Sequence, residues 1–176
     1  MFHKTERLLL RPVWPEDWQA VLGGIADEAI VRNLARAPWP YPEAEARWWT
    51  SKPQDHWLPH FAVCDAASGE LVGSARLGLH DGEAELGYWI ARPHWGRGYA
   101  TEAASGVVAV ARMLVQERLL GAHYADNPAS GRVLRKLGFV PTGQRELRDC
   151  AARGGPQDSL TYFLDLEEEH SGLRAA

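Results

Sequence analysis

The sequence predicts a mixed α/β fold in which helices flank a mostly antiparallel central sheet. Three strand-like runs follow one another between residues 60 and 90 with only short turns between them, which is the pattern of an antiparallel meander. After residue 99, a long helical pattern is followed by alternating strands and a further helix. The 176 residues suit one domain with a full core, and neither repeats nor a low-complexity linker divides them. We therefore expect a single domain over residues 1–176, with a solvated tail at 167–176.

The first third of the chain is predicted to hold one strand and three helices. The apolar run RLLLRPV predicts the strand, and each helical segment after it opens on a proline or on acidic residues and is broken by Gly-Gly or Pro. A rigid proline-rich loop separates the last two helices. The predicted bounds are 7–13 for the strand, 15–22, 28–34 and 42–50 for the helices, and 38–42 for the loop.

The remaining elements follow from strand-like runs and one long amphipathic pattern. Small or apolar residues recur at i, i+3 and i+4 over 99–117 and predict the longest helix. The stretch RGGPQ at 153–157 predicts a flexible loop. Strands are predicted at 60–65, 71–79, 84–90, 121–124, 139–142 and 159–166, and a further helix at 128–137.

The composition argues against several classes of protein. A formal net charge of −4 gives no basic field for nucleic acid. The two cysteines, Cys64 and Cys150, form no CxxC pattern, and the seven histidines show no HxH or HExxH spacing, so we expect no metal site. No apolar run has the length of a membrane span or of a signal peptide. We expect a cytoplasmic protein that binds neither nucleic acid nor membrane.

The stretch HWGRGYATEA at 94–103 places a glycine turn directly before the longest predicted helix. The first N–H groups of a helix have no internal partners, and the helix dipole adds partial positive charge there. Gly96 and Gly98 lack the Cβ atoms that would hold a phosphate away, and Arg97 adds a cation, so the stretch predicts an anion cradle. A plain strand-to-helix turn would use the same glycines. The stretch lacks the P-loop pattern and the full GxGxxG pattern.

A second stretch, NPASGRVLRKLGF at 127–139, follows at the next predicted helix. Asn127 suits the N-cap, Pro128 the first helical position, and Gly138 the position after the helix. Each feature has a purely structural explanation, but the two stretches in this order are more specific than either alone.

Together the two stretches resemble the GNAT superfamily of acyl-CoA-dependent N-acetyltransferases. The family's cofactor motif, Q/R-x-x-G-x-G/A, aligns with WGRGYA at 95–100, and the strand AELGYWI before it and the N-x-x-S…KLGF helix after it match as well. With the opening ERLLLRPVWPED, the chain looks most like the branch that includes the RimJ/RimL ribosomal-protein N-terminal acetyltransferases. The resemblance covers residues 5–166, which would form the core of a GNAT fold.

The resemblance implies acetyl-CoA as the co-substrate and names the residues that would hold it. Main-chain groups of the strand would bind the pantetheine amides, and the glycine turn would bind the pyrophosphate. Trp95 replaces the usual Gln or Arg, so packing would replace one phosphate contact. The implied set is Tyr88, Trp89, Ile90, Trp95, Gly96, Arg97, Gly98, Tyr99, Ala100, Thr101, Asn127 and Ser130.

Transfer of an acetyl group requires a neutral amine, and Glu85 is the candidate base. At pH 7 about a tenth of α-amino groups are neutral, against roughly one lysine amine in a few thousand. A modest base, acting directly or through water, therefore suffices for an N-terminus. Apolar neighbours would make Glu85 more basic, although strand alternation could instead point it to solvent.

Asn127 and Ser130 complete the predicted catalytic set. Leu134 stands where many family members carry a tyrosine that is thought to protonate the leaving thiolate, and the resemblance implies Ser130 as its substitute. Asn127 would bind pantetheine. The alternative is that Asn127 only caps the helix and Ser130 only occupies its first turn.

The sequence thus predicts direct acetyl transfer to a primary amine, with a protein or peptide N-terminus as the first expectation. The alternatives are a small-molecule amine (an aminoglycoside, a polyamine or an amino-acid analogue) and a non-catalytic acyl-CoA-binding module. Six tryptophans of the first third either line an acceptor groove or, as we expect, pack in the core or in a homodimer interface. They are Trp14, Trp18, Trp39, Trp48, Trp49 and Trp57.

Overall fold

Eight strands form one sheet in the computed structural model, which describes residues 1–166. The strands are β1 (His3–Lys4), β2 (Leu8–Pro12), β3 (His60–Asp65), β4 (Leu71–His80), β5 (Glu83–Ile90), β6 (Arg118–Tyr124), β7 (Val140–Cys150) and β8 (Gly155–Asp165). Their order across the sheet is β1-β2-β3-β4-β5-β6-β8-β7. Neighbouring strands are antiparallel except β5 and β6, which run parallel. The predicted fold class and the central meander β3-β4-β5 are confirmed.

Helices pack on both faces of this sheet. They are α1 (Trp18–Ile25), α2 (Glu28–Val31), α3 (Glu43–Thr50), α4 (Tyr99–Met113) and α5 (Pro128–Lys136), with short 3₁₀ turns at Pro15–Asp17, Arg92–His94 and Ala151–Arg153. The predicted helices are all present, although α2 is a single turn. No helix within residues 1–166 combines the length and apolar character needed to cross a membrane.

Because side chains alternate along β5, the strand contributes residues to two separate hydrophobic cores. Leu86 and Ile90 face α4 and join the larger core, which the buried face of that helix fills with small residues such as Ala103 and Val107. Trp89 points to the opposite face and packs in a second core formed by α1, α2 and α3. Strand β5 is therefore fixed from both sides, which makes it a firm support for functional groups.

The end of α4 was predicted incorrectly. The helix stops at Met113 instead of continuing to 117, and Val115 adopts a left-handed backbone with φ of 56°. The chain has to reverse here because β6 begins at Arg118 and runs back along the sheet beside β5. The apolar periodicity continues through this turn, so the pattern alone extends the helix too far.

The C-terminal hairpin also differs from the prediction. Strands β7 and β8 each span 11 residues and are joined by a tight turn in which Gly154 has φ of 72°. The predicted flexible loop at 153–157 is therefore wrong, since Gly155 already starts β8. Strand β7 lies at the sheet edge and is mostly exposed, so it carries polar residues on both faces and lacks an apolar signal. The predicted tail at 167–176 lies outside the described residues.

Candidate active site

A cleft of about 1150 Å³ lies where β5 and β6 separate. Within the described residues, the two strands share one register pair, Glu85 with Leu120, and then diverge. Beyond that point the edge of β5 that faces β6 has no strand partner. The cleft extends from the N-terminus of α4 past this edge to the face of the sheet covered by α2 and α3. One continuous space thus connects the glycine turn with the tryptophan-rich segment.

The glycine turn at the mouth of the cleft has the backbone that an anion cradle requires. Gly96 and Gly98 both adopt left-handed conformations, with φ of 76° and 81°, and Gly98 is the N-cap of α4. A Cβ atom at Gly96 would meet no protein atom within 4 Å, so the space outside the turn is open to a ligand. The free N–H groups of the first helical turn fit a pyrophosphate.

A distant arginine fixes this turn. Arg7 donates to the carbonyl oxygen of Arg97 at 3.0 Å and forms an ion pair with Glu102 at 2.6 Å. The hydroxyl of Tyr99 donates to Asp65 at 2.7 Å, and that hydrogen bond, with the turn N–H groups of Ser68 and Ala67, lowers the pKa of Asp65 to about 2. Sequence reasoning missed Arg7 because about 90 residues separate it from the turn. The Arg97 side chain itself is exposed and does not line the cleft.

Trp95 explains why the family's usual Gln or Arg is absent. Its indole N–H donates to the carbonyl oxygen of Ile90 at 2.6 Å. The Ile90 carbonyl oxygen, which belongs to the main chain predicted to bind pantetheine, is therefore already occupied by Trp95. The side chain holds the end of β5 against the glycine turn, and the cradle depends on backbone groups alone.

Tyr88 and Ser130 meet across the cleft. The Tyr88 hydroxyl lies 2.8 Å from Ser130 Oγ, and burial raises the pKa of Tyr88 to about 12. Asn127 caps α5, since its side-chain oxygen accepts the Ser130 N–H at 3.4 Å. Leu134 is buried in the core one turn further along. The sequence predicted a role only for the main chain of Tyr88, and the contact of its hydroxyl with Ser130 was not foreseen.

The surroundings of Glu85 differ from the expectation. Its carboxylate forms an ion pair with Arg148 of β7, which also donates to Glu146 at 2.6 Å. His80 lies 3.4 Å from Glu146 and extends the network. The predicted apolar environment of Glu85 is therefore wrong, because its carboxylate contacts the guanidinium group of Arg148. The Glu85 side chain remains 18% exposed and lines the cleft.

The far side of the cleft is aromatic and cationic. Trp48 is 56% exposed, and the ammonium group of Lys52 lies 3.5 Å from the centre of its ring. The rings of Trp49 and His60 are 5.5 Å apart. Burial, followed by the charges of Lys52 and Arg76, lowers the pKa of His60, so its imidazole is neutral at pH 7. We call the cleft surface formed by these five residues the acceptor lobe.

The expectation that the N-terminal tryptophans pack in the core is met in part by Trp18 and Trp49, which are half-buried against the second core. The other four are exposed: Trp14, Trp39, Trp48 and Trp57. Cationic side chains cover three of the six: Arg11 over Trp14, Arg47 over Trp18 and Lys52 over Trp48. Trp48 and Trp49 line the cleft, which agrees with the alternative of an acceptor groove. A homodimer interface for the others stays a prediction.

Most of the predicted site residues lie around the one cleft. Within residues 1–166, no group of three or more His, Cys, Asp or Glu side chains is placed to hold a metal ion. The predicted residues that line the cleft are Glu85, Tyr88, Trp89, Ile90, Trp95, Gly96, Gly98, Tyr99, Ala100, Thr101, Asn127 and Ser130.

Comparisons with known proteins agree with this geometry. The family model described as acetyltransferase (GNAT) domain matches residues 7–140. An uncharacterized N-acetyltransferase of Bacillus subtilis, YnaD, is 27% identical over 171 residues, covering 94% of this chain and 96% of its own.

Two solved structures share the fold. One is RimL, a ribosomal L7/L12 alpha-N-protein acetyltransferase in complex with coenzyme A, with a TM-score of 0.77, 19% identity and coverage of 94% of this chain and 98% of its own. The other is a spermidine N-acetyltransferase from Vibrio cholerae in complex with CoA and spermine, with a TM-score of 0.76, 21% identity and coverage of 92% and 97%.

Proposed function

The chain belongs to the acetyltransferase (GNAT) family, and we propose that it transfers the acetyl group of acetyl-CoA directly to the N-terminal amino group of a peptide or protein. The observation that carries this proposal is the single cleft, which joins the glycine cradle to the acceptor lobe through the gap between β5 and β6. The lobe is lined by Trp48 and Trp49, of which Trp48 is exposed. The similarity of fold to RimL supports the same acceptor class.

Two parts of the cleft would hold the acyl donor. The N–H groups around Gly96 and Gly98 fit its pyrophosphate, and the unpaired edge of β5 at Tyr88 fits an amide of its pantetheine arm. Asn127 uses its side-chain oxygen as a cap, and its amide N–H groups have no partner among the described residues, so they can donate to the same arm. Acetyl-CoA would supply the activated acetyl group.

Glu85 would receive the proton that the acceptor amine releases, directly or through water. It lies on the strand that borders the gap, and part of its carboxylate is open to the cleft. Its carboxylate contacts the Arg148 guanidinium group and can also accept a hydrogen bond from an incoming ammonium group. Because about a tenth of α-amino groups are already neutral at pH 7, a weak base is sufficient for an N-terminus.

The hydroxyl pair of Tyr88 and Ser130 would donate a proton to the departing thiolate. The high pKa of Tyr88 keeps its hydroxyl protonated at neutral pH, and the 2.8 Å contact allows either oxygen to be the donor of the pair. Ser130 alone was the expected substitute for the family's tyrosine. The pair fills that role better, since Tyr88 can restore the proton that Ser130 gives up.

We also propose that the protein belongs to the RimJ/RimL-like branch and works in the cytoplasm. The opening ERLLLRPVWPED and the likeness to RimL support membership of the RimJ/RimL-like branch. Cys64 and Cys150 are both buried and unpaired, which supports the reducing environment of the cytoplasm.

A panel of acceptors tests the function. Peptides that begin with Ala, Ser or Met and a set of small amines are each incubated with acetyl-CoA, and the release of free thiol is followed. Faster acetylation of peptides than of small amines supports the proposal. Binding of acetyl-CoA in calorimetry without turnover of any amine would instead identify a non-catalytic binding module.

A further inference from the structure

We propose that the acceptor carries an anionic group, a carboxylate or a phosphate, which Arg76 and Lys52 bind beside the reacting amine. The inference rests on the proposed acetyl transfer and specifies its acceptor. Both cations line the cleft on the side away from the glycine cradle.

The register of the sheet places Arg76 beside the expected reaction centre. Arg76 pairs with Gly87 across β4 and β5, and Gly78 pairs with Glu85, so Arg76 and Glu85 share one face as diagonal neighbours. Such neighbours lie roughly 7–8 Å apart. An amine at Glu85 and an anionic group a few atoms away can therefore contact both side chains at once.

Two glycines make room for the arginine. A Cβ atom at Gly78 would lie 2.6 Å from Arg76 Nη1, and one at Gly87 would lie 3.3 Å from Nε. The guanidinium group thus lies against the sheet in the space that side chains at these positions would occupy. Arg76 is an exposed residue of β4, so its guanidinium group lies along the wall of the acceptor lobe and is accessible from the cleft.

Arg76 has no anionic partner in the protein. Within residues 1–166 it makes neither a hydrogen bond nor an ion pair, whereas Arg148 on the same side of the cleft has both Glu85 and Glu146. Lys52 likewise has no ion pair in the described part of the chain and contacts the Trp48 ring. An unpaired guanidinium group in such a position is open to an anionic ligand.

The acidic residues of the cleft leave a surplus of positive charge. The Asp55 carboxylate already accepts the N–H groups of Trp57 and Leu58, at 2.8 and 3.2 Å, and Glu85 is paired with Arg148. Glu45 is the remaining carboxylate near Lys52. A polyamine would place further positive charge beside Arg76 and Lys52, so the lobe disfavours the acceptor class of the spermidine acetyltransferase that shares this fold.

Matched acceptors test this inference without altering the protein. The kcat/KM for a peptide beginning Ser-Asp is compared with that for Ser-Asn, and the value for free serine is compared with that for serinamide, while O-phosphoserine at the second peptide position probes a phosphate. We expect the anionic member to be preferred about tenfold to a hundredfold in at least one pair. The pair that responds identifies the source of the anion as a side chain or a free carboxylate.

The variant Arg76→Gln tests whether Arg76 causes the preference for anionic acceptors. It should reduce the ratio of kcat/KM between the anionic and the neutral acceptor to about one, whereas Arg76→Lys should retain part of it. Arg112→Gln, which changes an exposed arginine of α4 outside the cleft, is the matched control and should leave the ratio intact. Calorimetry with acetyl-CoA verifies that each variant is folded.

Two results would overturn the inference. One is equal or better acetylation of neutral or polyamine acceptors by the natural protein, and the other is an unchanged ratio in Arg76→Gln. Neither result would contradict the proposed acetyl transfer. A protein that binds acetyl-CoA but acetylates no amine would instead refute the transferase function on which the inference rests.

Discussion

At the scale of single residues, the proposed role of the Tyr88 hydroxyl can be tested by removing one atom. Changing Tyr88 to Phe removes one oxygen and leaves the ring packed against the larger core. We expect kcat to fall about tenfold to a hundredfold with little change in the KM for acetyl-CoA, because a proton donor acts on the departing thiolate and not on binding. Steady-state kinetics on a peptide acceptor measures both values.

Ser130→Ala provides the comparison for that variant. If the two hydroxyls act as one relay, the double variant loses no more activity than the more impaired single variant. Full activity of Tyr88→Phe would remove the tyrosine from the mechanism.

The high pKa of Tyr88 also predicts how the rate depends on pH. Its hydroxyl stays protonated up to about pH 11, so loss of this donor does not limit the rate between pH 7 and 9.

Glu85 is the second residue whose role can be isolated. The variant Glu85→Gln should bind acetyl-CoA normally and lose about a hundredfold in kcat, because the amide cannot accept the proton of the amine. The loss should be larger for a lysine amine than for an α-amine, since fewer lysine amines are neutral at pH 7. Glu83→Gln, on the same strand but exposed and outside the cleft, is the control. Unchanged turnover of Glu85→Gln would show that water alone is sufficient as the base.

At the scale of elements, the part that the turn between β5 and α4 plays in binding acetyl-CoA can be separated from the backbone strain that a substitution there introduces. Gly96→Ala places a methyl group in the open space where the pyrophosphate is expected, with no protein atom to clash with. We expect the Kd for acetyl-CoA to rise at least tenfold in calorimetry. Gly82→Ala is a matched control, because Gly82 also has a left-handed backbone (φ of 86°) and open surroundings but lies in the β4–β5 hairpin. Equal loss of binding in both variants would attribute the effect to strain and not to the cradle.

The elements also show how far the sequence could predict the fold. The meander was predicted because short strand-like runs are separated by turns, and α4 because apolar residues recur every three to four positions. Only the start of β7 was predicted, as the strand at 139–142, because the rest of this exposed edge strand buries too little to need an apolar face. The same distinction applies to the site. The glycine turn and the α5 cap could be predicted because they are local motifs. The contacts between Glu85 and Arg148, and between Tyr88 and Ser130, join residues 63 and 42 positions apart and leave no local signal.

At the scale of the whole molecule, the cleft separates two parts of one sheet, so a ligand that bridges it should stabilise the entire fold. Acetyl-CoA at a hundredfold excess over its Kd would add about 2.7 kcal/mol to the free energy of unfolding. For a domain of this size, that corresponds to a rise in Tm of roughly 5–10 °C. Differential scanning calorimetry with and without acetyl-CoA measures it. The Gly82→Ala variant should show the same rise and Gly96→Ala a much smaller one at the same concentration. A rise that is equal in both variants would mean that the bound molecule does not use the glycine cradle, and the placement of the donor in the cleft would have to be abandoned.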